Sequence, residues 1–250
     1  MSRNGRIAAF AMMGIALAVA AALRYQLSWL GFPDGFRSEL RRSSSRDWCL
    51  VAHQVGFFRT IPPARPVAFT MSRTLPDRLT TARLVLREPR LVDAAGLFES
   101  YTQDVNVPRY MTWRPHTDVS QTDAFIRECI RVWAAGDRQS YVLTDRENEQ
   151  VPVGMIDARI RGHIVETGYV ITRSRWGQGL MPEAIQAVAE AALAKPTIFR
   201  VQATCDVENR ASARALEKSG FIREARLERW MVHPNVSAEP RASFMYARWK

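Results

Sequence analysis

The feature that most constrains this chain is a short glycine-containing segment at which one sequence periodicity gives way to another. Residues 166–172 (ETGYVIT) are rich in β-prone residues and predict a strand. The next segment, residues 175–181, is RWGQGLM. After it, apolar residues recur with the spacing of a helix, at Ile185, Val188, Ala189, Ala192 and Leu193. The pattern predicts a strand, a tight glycine turn and then a helix.

The composition of this turn indicates an anion site. Gly177 and Gly179 let the backbone turn tightly and approach a ligand closely. Pro182 suits the first position of a helix, where its missing N–H costs nothing. Free N–H groups at a helix start bind anions, so we predict that the turn holds a pyrophosphate. The third glycine of a dinucleotide fingerprint and the lysine of a triphosphate loop are both absent. A connection that uses glycine only for geometry explains the same pattern.

Residues 71–250 show an alternation of strand and helix patterns that predicts a single mixed sheet. Strands are expected at residues 83–87, 140–144, 151–160, 164–172, 198–205, 221–232 and 242–249. Helices are expected at residues 92–104 and 120–136, after the glycine turn, and at 208–219. Short turns between the second, third and fourth strands favour an antiparallel meander. The helix that follows favours a parallel neighbour. The fold class is therefore α/β (α+β), with a mostly antiparallel sheet flanked by helices.

Two further details of this region can be tested against a structure. Ser120 followed by Asp123 is expected to cap the second helix, and Gly136 to end it. The buried face of that helix is expected to consist of Phe125, Ile126, Cys129, Ile130 and Trp133. The loop at residues 106–115 (NVPRYMTWRP) has aromatic side chains that either pack beneath it or line a substrate pocket.

The first seventy residues differ from the rest in composition and charge. They contain nine arginines against three acidic residues, whereas residues 71–250 contain 26 basic and 22 acidic residues. Most of the net charge of +10 therefore lies outside the part with the motifs, and we expect no nucleic-acid partner. The three cysteines are far apart and lack metal-ligand spacing, so neither a disulfide framework nor a metal site is expected.

Residues 1–70 are interpreted as an N-terminal extension with an apolar segment at residues 7–23. This run of 17 residues is near the lower limit for a membrane span, and it also resembles an export signal. A third reading is that the start codon is assigned too far upstream and that the protein begins at Met71. A cytoplasmic location follows from the third reading, and a membrane-anchored one from the first.

Four sequence blocks together resemble the GNAT acyltransferase superfamily. They are residues 81–89 (TARLVLREP), 101–116 (YTQDVNVPRYMTWRPH), 166–184 (ETGYVITRSRWGQGLMPEA), and 207–221 (VENRASARALEKSGF) with 233–241 (HPNVSAEPR). The resemblance covers about residues 81–249, and within the superfamily the sequence looks like the branch of ribosomal-protein-alanine N-acetyltransferases and their uncharacterised relatives. It implies a GNAT domain at residues 71–250. It also implies transfer of an acetyl group from acetyl-CoA to an amine. Because no candidate nucleophile presents itself in the sequence, we expect this transfer to be direct, without a covalent enzyme intermediate.

The resemblance also implies which residues contact the co-substrate. Backbone N–H groups of the turn would bind the pyrophosphate of coenzyme A, with charge supplied by Arg173 or Arg175, since Ser174 stands where the superfamily often has Arg or Gln. The pantetheine arm would fill a gap beside the strand that precedes the turn. The residues expected in these contacts are Tyr169, Val170, Ile171, Arg175, Trp176, Gly177, Gln178, Gly179, Leu180, Met181, Asn209 and Ser212.

The residues for the chemistry are fewer. Glu166, at the start of the strand that leads into the turn, is the first candidate for the base that deprotonates the amine. Many superfamily members protonate the departing thiolate with a tyrosine, but Leu216 stands at that position, so Ser212 or water is expected to serve. Glu183 is expected to fix the helix start. The acceptor is expected to be a peptide amino terminus or a small molecule, and the enzyme a monomer or homodimer. A non-catalytic acyl-CoA sensor is the alternative from another class.

Overall fold

The computed structural model describes residues 75–136 and 138–250. The expected N-terminal extension and its apolar segment at residues 7–23 lie outside the described residues. Within the described ranges, no helix is both long enough and apolar enough to cross a membrane.

The described residues form one eight-stranded sheet with four α-helices. The strands are β1 (Arg78–Thr80), β2 (Leu84–Arg87), β3 (Arg138–Asp145), β4 (Asn148–Arg161), β5 (Ile164–Ile171), β6 (Arg200–Asp206), β7 (Ile222–Val232) and β8 (Pro240–Trp249). The helices are α1 (Asp93–Leu97), α2 (Val119–Ala135), α3 (Leu180–Leu193) and α4 (Arg210–Lys218). A π-helical turn (Phe98–Thr102) continues α1, and short 3-10 turns occupy Val107–Tyr110 and Arg173–Arg175.

The strand order is β1-β2-β3-β4-β5-β6-β8-β7, and only the β5–β6 pair is parallel. This confirms the predicted mixed, mostly antiparallel sheet, including the parallel neighbour after the helical crossover. The structure adds β1, a strand of only three residues, which is too short to show a periodicity in the sequence.

Side chains alternate between the two faces of the sheet and so divide the core. One face, which we call the first face, packs α3 and α4 against residues such as Ile156, Val165 and Val201. The opposite, second face packs α1, the π-helical turn and α2 against Val142 and Met155. Successive residues of one strand therefore pack into different clusters of the core, one on each face of the sheet.

The start of α2 differs from the expectation. Asp118 is the N-cap, and its side chain accepts a hydrogen bond from the backbone N–H of Ser120 at 2.8 Å, whereas Asp123 pairs with Arg127. The physical reason is that the helix begins one residue earlier, so Ser120 already lies inside it. Gly136 ends the helix with a φ of +83°, as predicted.

The buried face of α2 is also narrower than expected. Its fully buried residues are Thr122, Ile126, Cys129 and Trp133. Phe125 is exposed and Ile130 is only half-buried, because both lie at the margins of the stripe that α2 turns toward the sheet.

Candidate functional site

The candidate site lies where β5 and β6 separate. The two strands pair only at Ile164–Arg200, Val165–Val201 and Glu166–Gln202. Beyond these residues, β5 remains paired with β4, and β6 with β8. Because β5 and β6 are parallel, the space between them opens toward their carboxyl ends, at Ile171 and Asp206. We call this space the fork, with its closed end at Glu166.

The glycine turn follows β5 at the open end of the fork. Gly177 and Gly179 both have a φ of +76°, a conformation that residues with a Cβ rarely adopt. In α3, which begins at Leu180, the N–H of Glu183 bonds to the carbonyl of Gly179 at 3.4 Å. The N–H groups of Leu180 and Met181 therefore have no partner within the helix. The predicted turn and helix start are both present.

The predicted position of Pro182 is wrong by two residues. It is the third residue of α3 rather than the first. The first four N–H groups of a helix all lack intrahelical acceptors, so proline is tolerated at this position for the same physical reason.

A brace from the turn between β1 and β2 holds the start of α3. The backbone N–H and the Nε of Arg83 each donate to the Glu183 carboxylate at 2.8 Å, and Thr81 donates to the same group. Arg83 Nη1 also donates to the Gln178 carbonyl at 2.8 Å. Burial pushes the pKa of Glu183 upward, but these hydrogen bonds outweigh it and leave the pKa below its usual value. Glu183 thus ties the helix start to the rest of the sheet, whereas the role of Arg83 was not apparent from the sequence.

The side chains of the turn are mostly tied to the protein. Trp176 donates its indole N–H to the Ile171 carbonyl at 3.0 Å, and Gln178 donates to the Ser174 carbonyl at 3.0 Å. Arg175 forms an ion pair with Asp145. The structure therefore brings residues 175–181 together in one turn, and the side chains of Arg175, Trp176 and Gln178 are engaged with the protein itself.

Tyr169 on β5 contacts Ser212 on α4, and its phenol also lies 3.4 Å from the Ser212 carbonyl oxygen. The phenol oxygen of Tyr169 on β5 lies 2.8 Å from the hydroxyl oxygen of Ser212 on α4. Burial raises the pKa of Tyr169, and it raises the pKa of the nearby Cys205 thiol to about 11. The side chains of Tyr169 and Ile171 lie on the first face of the sheet, whereas Val170 packs against the core of the second face. The three predicted pantetheine contacts thus do not share one side.

Two other predicted residues, Asn209 and Ser212, lie at the start of α4. Asn209 is the N-cap rather than a helical residue, and its side-chain oxygen accepts a hydrogen bond from the N–H of Ser212 at 3.2 Å. Leu216, at the position where many superfamily members carry tyrosine, is fully buried in the core of the first face. Leu216 is therefore a packing residue.

Glu166, the predicted base, lies at the closed end of the fork. Its carboxylate is 3.4 Å from Nη1 of Arg159. The Nη2 atom of the same guanidinium is 2.9 Å from the Asp157 carboxylate. The Glu166 side chain is 34% exposed, so solvent reaches it. Glu166 is an ion-paired, partly solvated carboxylate, and its role stays a prediction.

Two loops meet over the second face near the open end of the fork. The side-chain amide of Asn235 donates to the carbonyls of Pro108 and Trp113, both at 2.7 Å. The ring of Tyr110 meets the ring of His233 edge-on, with 6.3 Å between centroids. The aromatic loop at residues 106–115 is thus bound to the segment that connects β7 and β8.

Beneath this contact lies a buried carboxylate that the sequence did not single out. Asp206 accepts hydrogen bonds from Arg241 Nε at 2.7 Å and from the Glu208 backbone N–H at 2.9 Å. Burial raises the pKa of Asp206, but these donors outweigh it and leave the pKa below its usual value. Asp206, Arg241 and His233 are too far apart in sequence for spacing to reveal the cluster. The described residues contain no group of three or more His, Cys, Asp or Glu side chains that could hold a metal ion.

Comparison with known proteins identifies the family to which this fold belongs. Residues 83–222 match the family model described as an acetyltransferase (GNAT) domain. The chain belongs to the GNAT acetyltransferase family. An uncharacterised N-acetyltransferase of this kind, p20 from Bacillus licheniformis, is 31% identical over 155 residues, which cover 60% of this chain and 85% of p20.

Solved GNAT structures share the fold. A GNAT acetyltransferase from Bacillus anthracis superimposes with a TM-score of 0.60 and 25% identity, covering 69% of this chain and 98% of that protein. RimL, a ribosomal L7/L12 α-N-protein acetyltransferase solved with coenzyme A, superimposes with a TM-score of 0.60 and 21% identity, covering 70% and 97%. The structural neighbours thus include ribosomal-protein acetyltransferases, the branch that the sequence resembles.

Proposed function

We propose that this protein transfers the acetyl group of acetyl-CoA directly to a primary amine. The observation that carries the proposal is the fork with the glycine turn at its open end. An extended chain of amide groups fits between two strands that expose unpaired backbone, and a pyrophosphate fits the turn that continues one of them. RimL, which shares the fold and was solved in complex with coenzyme A, supports the same assignment here.

The turn would contribute the N–H groups of Gly177 to Met181 to the pyrophosphate. A helix start carries roughly half a positive charge, and α3 has no side-chain cap to compete with an anion. In this proposal Arg175 contributes its backbone to the turn more than a free positive charge, because Asp145 already neutralises its guanidinium. Tyr169, Val170 and Ile171 on β5 would contact the pantetheine arm, with Asn209 on the opposite side of the fork.

The amine must lose a proton as it attacks. An α-amine has a pKa of about 7.7–8.0, so a partly solvated carboxylate or a water that it orders is sufficient near neutral pH. Glu166 would serve as this base from the closed end of the fork. Its pairing with Arg159 keeps the carboxylate in place, and its solvent exposure gives the proton a route to bulk water.

The products form when the new C–N bond is made and the C–S bond breaks, with the electron pair moving to sulfur. Ser212 would supply a proton to that sulfur and regain one from the solvent, which receives the proton that Glu166 takes from the amine. Tyr169 contacts the Ser212 hydroxyl, and its raised pKa keeps the phenol protonated. Tyr169 can therefore donate to the Ser212 oxygen and leave the Ser212 proton available for the thiolate.

A peptide amino terminus is the first acceptor class, because RimL is an α-N-protein acetyltransferase of a ribosomal protein. A small-molecule amine is the second, because Asn235 binds the two loops of the second face to each other and so narrows the approach. In either case residues 71–250 would be the catalytic domain, and a cytoplasmic location would supply acetyl-CoA.

The proposal is tested by measuring thiol release from acetyl-CoA against a panel of amines. The panel contains peptides that begin with Ala or Ser, a polyamine, an aminoglycoside and free amino acids. Release that depends on one of these amines supports the proposal and names the acceptor class. Binding of acetyl-CoA without release for any amine would instead identify an acyl-CoA sensor.

A further inference from the structure

His233 is a buried side chain with unused hydrogen-bonding capacity. It is 5% exposed, and within the described part of the chain neither Nδ1 nor Nε2 has a hydrogen-bond partner. A neutral imidazole offers one donor and one acceptor, and burying both unpaired is costly. An unpaired group of this kind in a native structure requires a reason, such as a ligand that completes it.

The surroundings of His233 favour a ligand that carries an N–H group. Asp206 Oδ2 lies 3.8 Å from Nε2, too far for a hydrogen bond but within reach of a small rotation of the ring. Arg241 is shared between the carboxylates of Asp206 and Glu208, at 2.7 and 2.9 Å. Arg109 lies 5.4 Å from the centroid of the Tyr110 ring, so cations balance these two carboxylates, and the imidazole is left to accept a hydrogen bond from a ligand N–H.

The position of His233 relates it to the fork. Asp206 is the last residue of β6 and so marks the open end. The segment that begins at His233 is tied through Asn235 to the loop of the second face, and Tyr110 lies edge-on against the imidazole. The imidazole is thus held at the mouth of the fork, between a buried carboxylate and an aromatic ring.

We propose that His233 binds an N–H group of the acceptor other than the amine that reacts beside Glu166. One ring nitrogen accepts a hydrogen bond from the acceptor N–H, while the opposite N–H turns toward Asp206. Tyr110 forms the apolar wall of this subsite, and its ring moves aside to admit the acceptor because the imidazole nitrogens are covered in the free protein. His233 is then a positioning residue for the acceptor, and this role rests on the proposed acetyl transfer.

Direct binding is tested by NMR on protein labelled with ¹⁵N in the imidazole rings. The chain has four histidines, so His233→Asn identifies the His233 signal by its loss. Coenzyme A is present throughout, and the probes are the tripeptide Ala-Gly-Gly and spermidine. We expect one of these amines to shift the His233 signals saturably, while the exposed His163 is unaffected. No saturable shift with either probe at millimolar concentration overturns the proposal.

The kinetic test uses any probe amine that the wild-type protein acetylates. His233→Phe should raise KM for the amine about tenfold, with kcat within threefold and the Kd for acetyl-CoA within twofold. The side-chain amide of His233→Asn lies near the position of Nδ1, and that of His233→Gln near the position of Nε2. One of these two variants should therefore have a KM for the amine between those of the wild type and His233→Phe. His163→Asn is the control. A folded His233→Phe with an unchanged KM, or an equal loss of acetyl-CoA binding in all three variants, overturns the proposal.

The proposed acetyl transfer and the proposed role of His233 fail separately. If the wild-type protein releases no thiol with any amine, the proposed acetyl transfer fails, while the NMR titration still decides whether His233 binds amines. If transfer occurs and His233→Phe leaves KM unchanged, only the role of His233 fails.

Discussion

The phenol of Tyr169 lies 2.8 Å from the hydroxyl of Ser212, and this contact joins β5 to α4 on the first face of the sheet. Neither residue would be expected to meet the other from the sequence, since 43 positions separate them. The contact forms because Tyr169 lies on the face of the sheet that α4 covers. The proposed proton donor is thus itself held by a second hydroxyl group.

Removing the Ser212 hydroxyl is expected to slow acetyl transfer. Ser212→Ala should lower kcat by about 10²-fold, the lower end of what a positioned acid contributes, and leave the Kd for acetyl-CoA nearly unchanged. Tyr169→Phe should lower kcat by about fivefold, because it removes one hydrogen bond worth about 1 kcal/mol. Steady-state kinetics of both single variants and the double variant measure this. Fully additive effects would contradict a shared role.

Glu166→Gln tests the predicted base. It should lower kcat by at least about 10²-fold at neutral pH without weakening the binding of acetyl-CoA. Glu224→Gln is a matched control, because Glu224 is also paired with an arginine, Arg200, and its side chain is 32% exposed. The measurement is kcat for both variants with the same amine. If the two variants behave alike, Glu166 is only a strand-end carboxylate.

Arg83→Met is expected to loosen the glycine turn. The variant loses the contacts of the guanidinium with both Glu183 and the Gln178 carbonyl, so the Kd for acetyl-CoA should rise about tenfold. Stability should fall by no more than about 1 kcal/mol, because Arg83 is half-exposed. Calorimetric titration and urea unfolding check the two effects. Arg127→Met, which breaks an exposed pair on α2, should change neither binding nor transfer.

The pair of Asp206 and Arg241 is expected to make the fold sensitive to acid. Folding lowers the pKa of Asp206, so the group contributes stability above its unfolded pKa of about 3.9, and this contribution is lost as pH falls through the folded value. Arg241→Met should cost about 3 kcal/mol at pH 7, because it leaves a buried carboxylate unpaired.

The measurement is the free energy of unfolding in urea at pH 7, 5, 4 and 3. The difference between wild type and Arg241→Met should shrink below pH 4, because the wild type then loses the contribution that the variant already lacks. Arg226→Met, which breaks an exposed pair with Glu228, is the control. A difference that stays constant across this pH range would rule out this origin of acid sensitivity.

Much of the fold could be predicted because its signals are local. The glycine turn, the apolar stripe of α3 and the short turns of the meander each lie within a few residues of one another. The errors also have local causes: β1 is too short to show a period, and the N-cap of α2 is Asp118, one residue before the helix. Boundaries depend on which of several polar residues reaches a backbone N–H, and periodicity does not report that choice.

The glycine turn and the start of α4 could be predicted from the sequence, whereas the residues proposed for the acceptor could not. The turn is a continuous sequence motif, and Asn209 and Ser212 are close together in the sequence. Arg83, Asp206 and His233 act through contacts between distant parts of the chain. The brace from Arg83 to Glu183 spans 100 positions. Such contacts follow from strand register, which is set by the packing of the whole sheet.

Binding of the acetyl-CoA pyrophosphate by the glycine turn underlies the whole proposed function, and titration calorimetry of Gly177→Asp is its sharpest test. A Cβ at Gly177 would meet nothing within 4 Å, so the variant should fold, but it places a carboxylate beside the proposed anion and strains a φ of +76°. Gly162→Asp is the matched control, since Gly162 also has positive φ and open space, and it lies in the β4–β5 turn. We predict micromolar binding of acetyl-CoA by the wild type and by Gly162→Asp, and at least a hundredfold weaker binding by Gly177→Asp. No binding by the wild type, or equal binding by all three proteins, would contradict the proposed role of the turn.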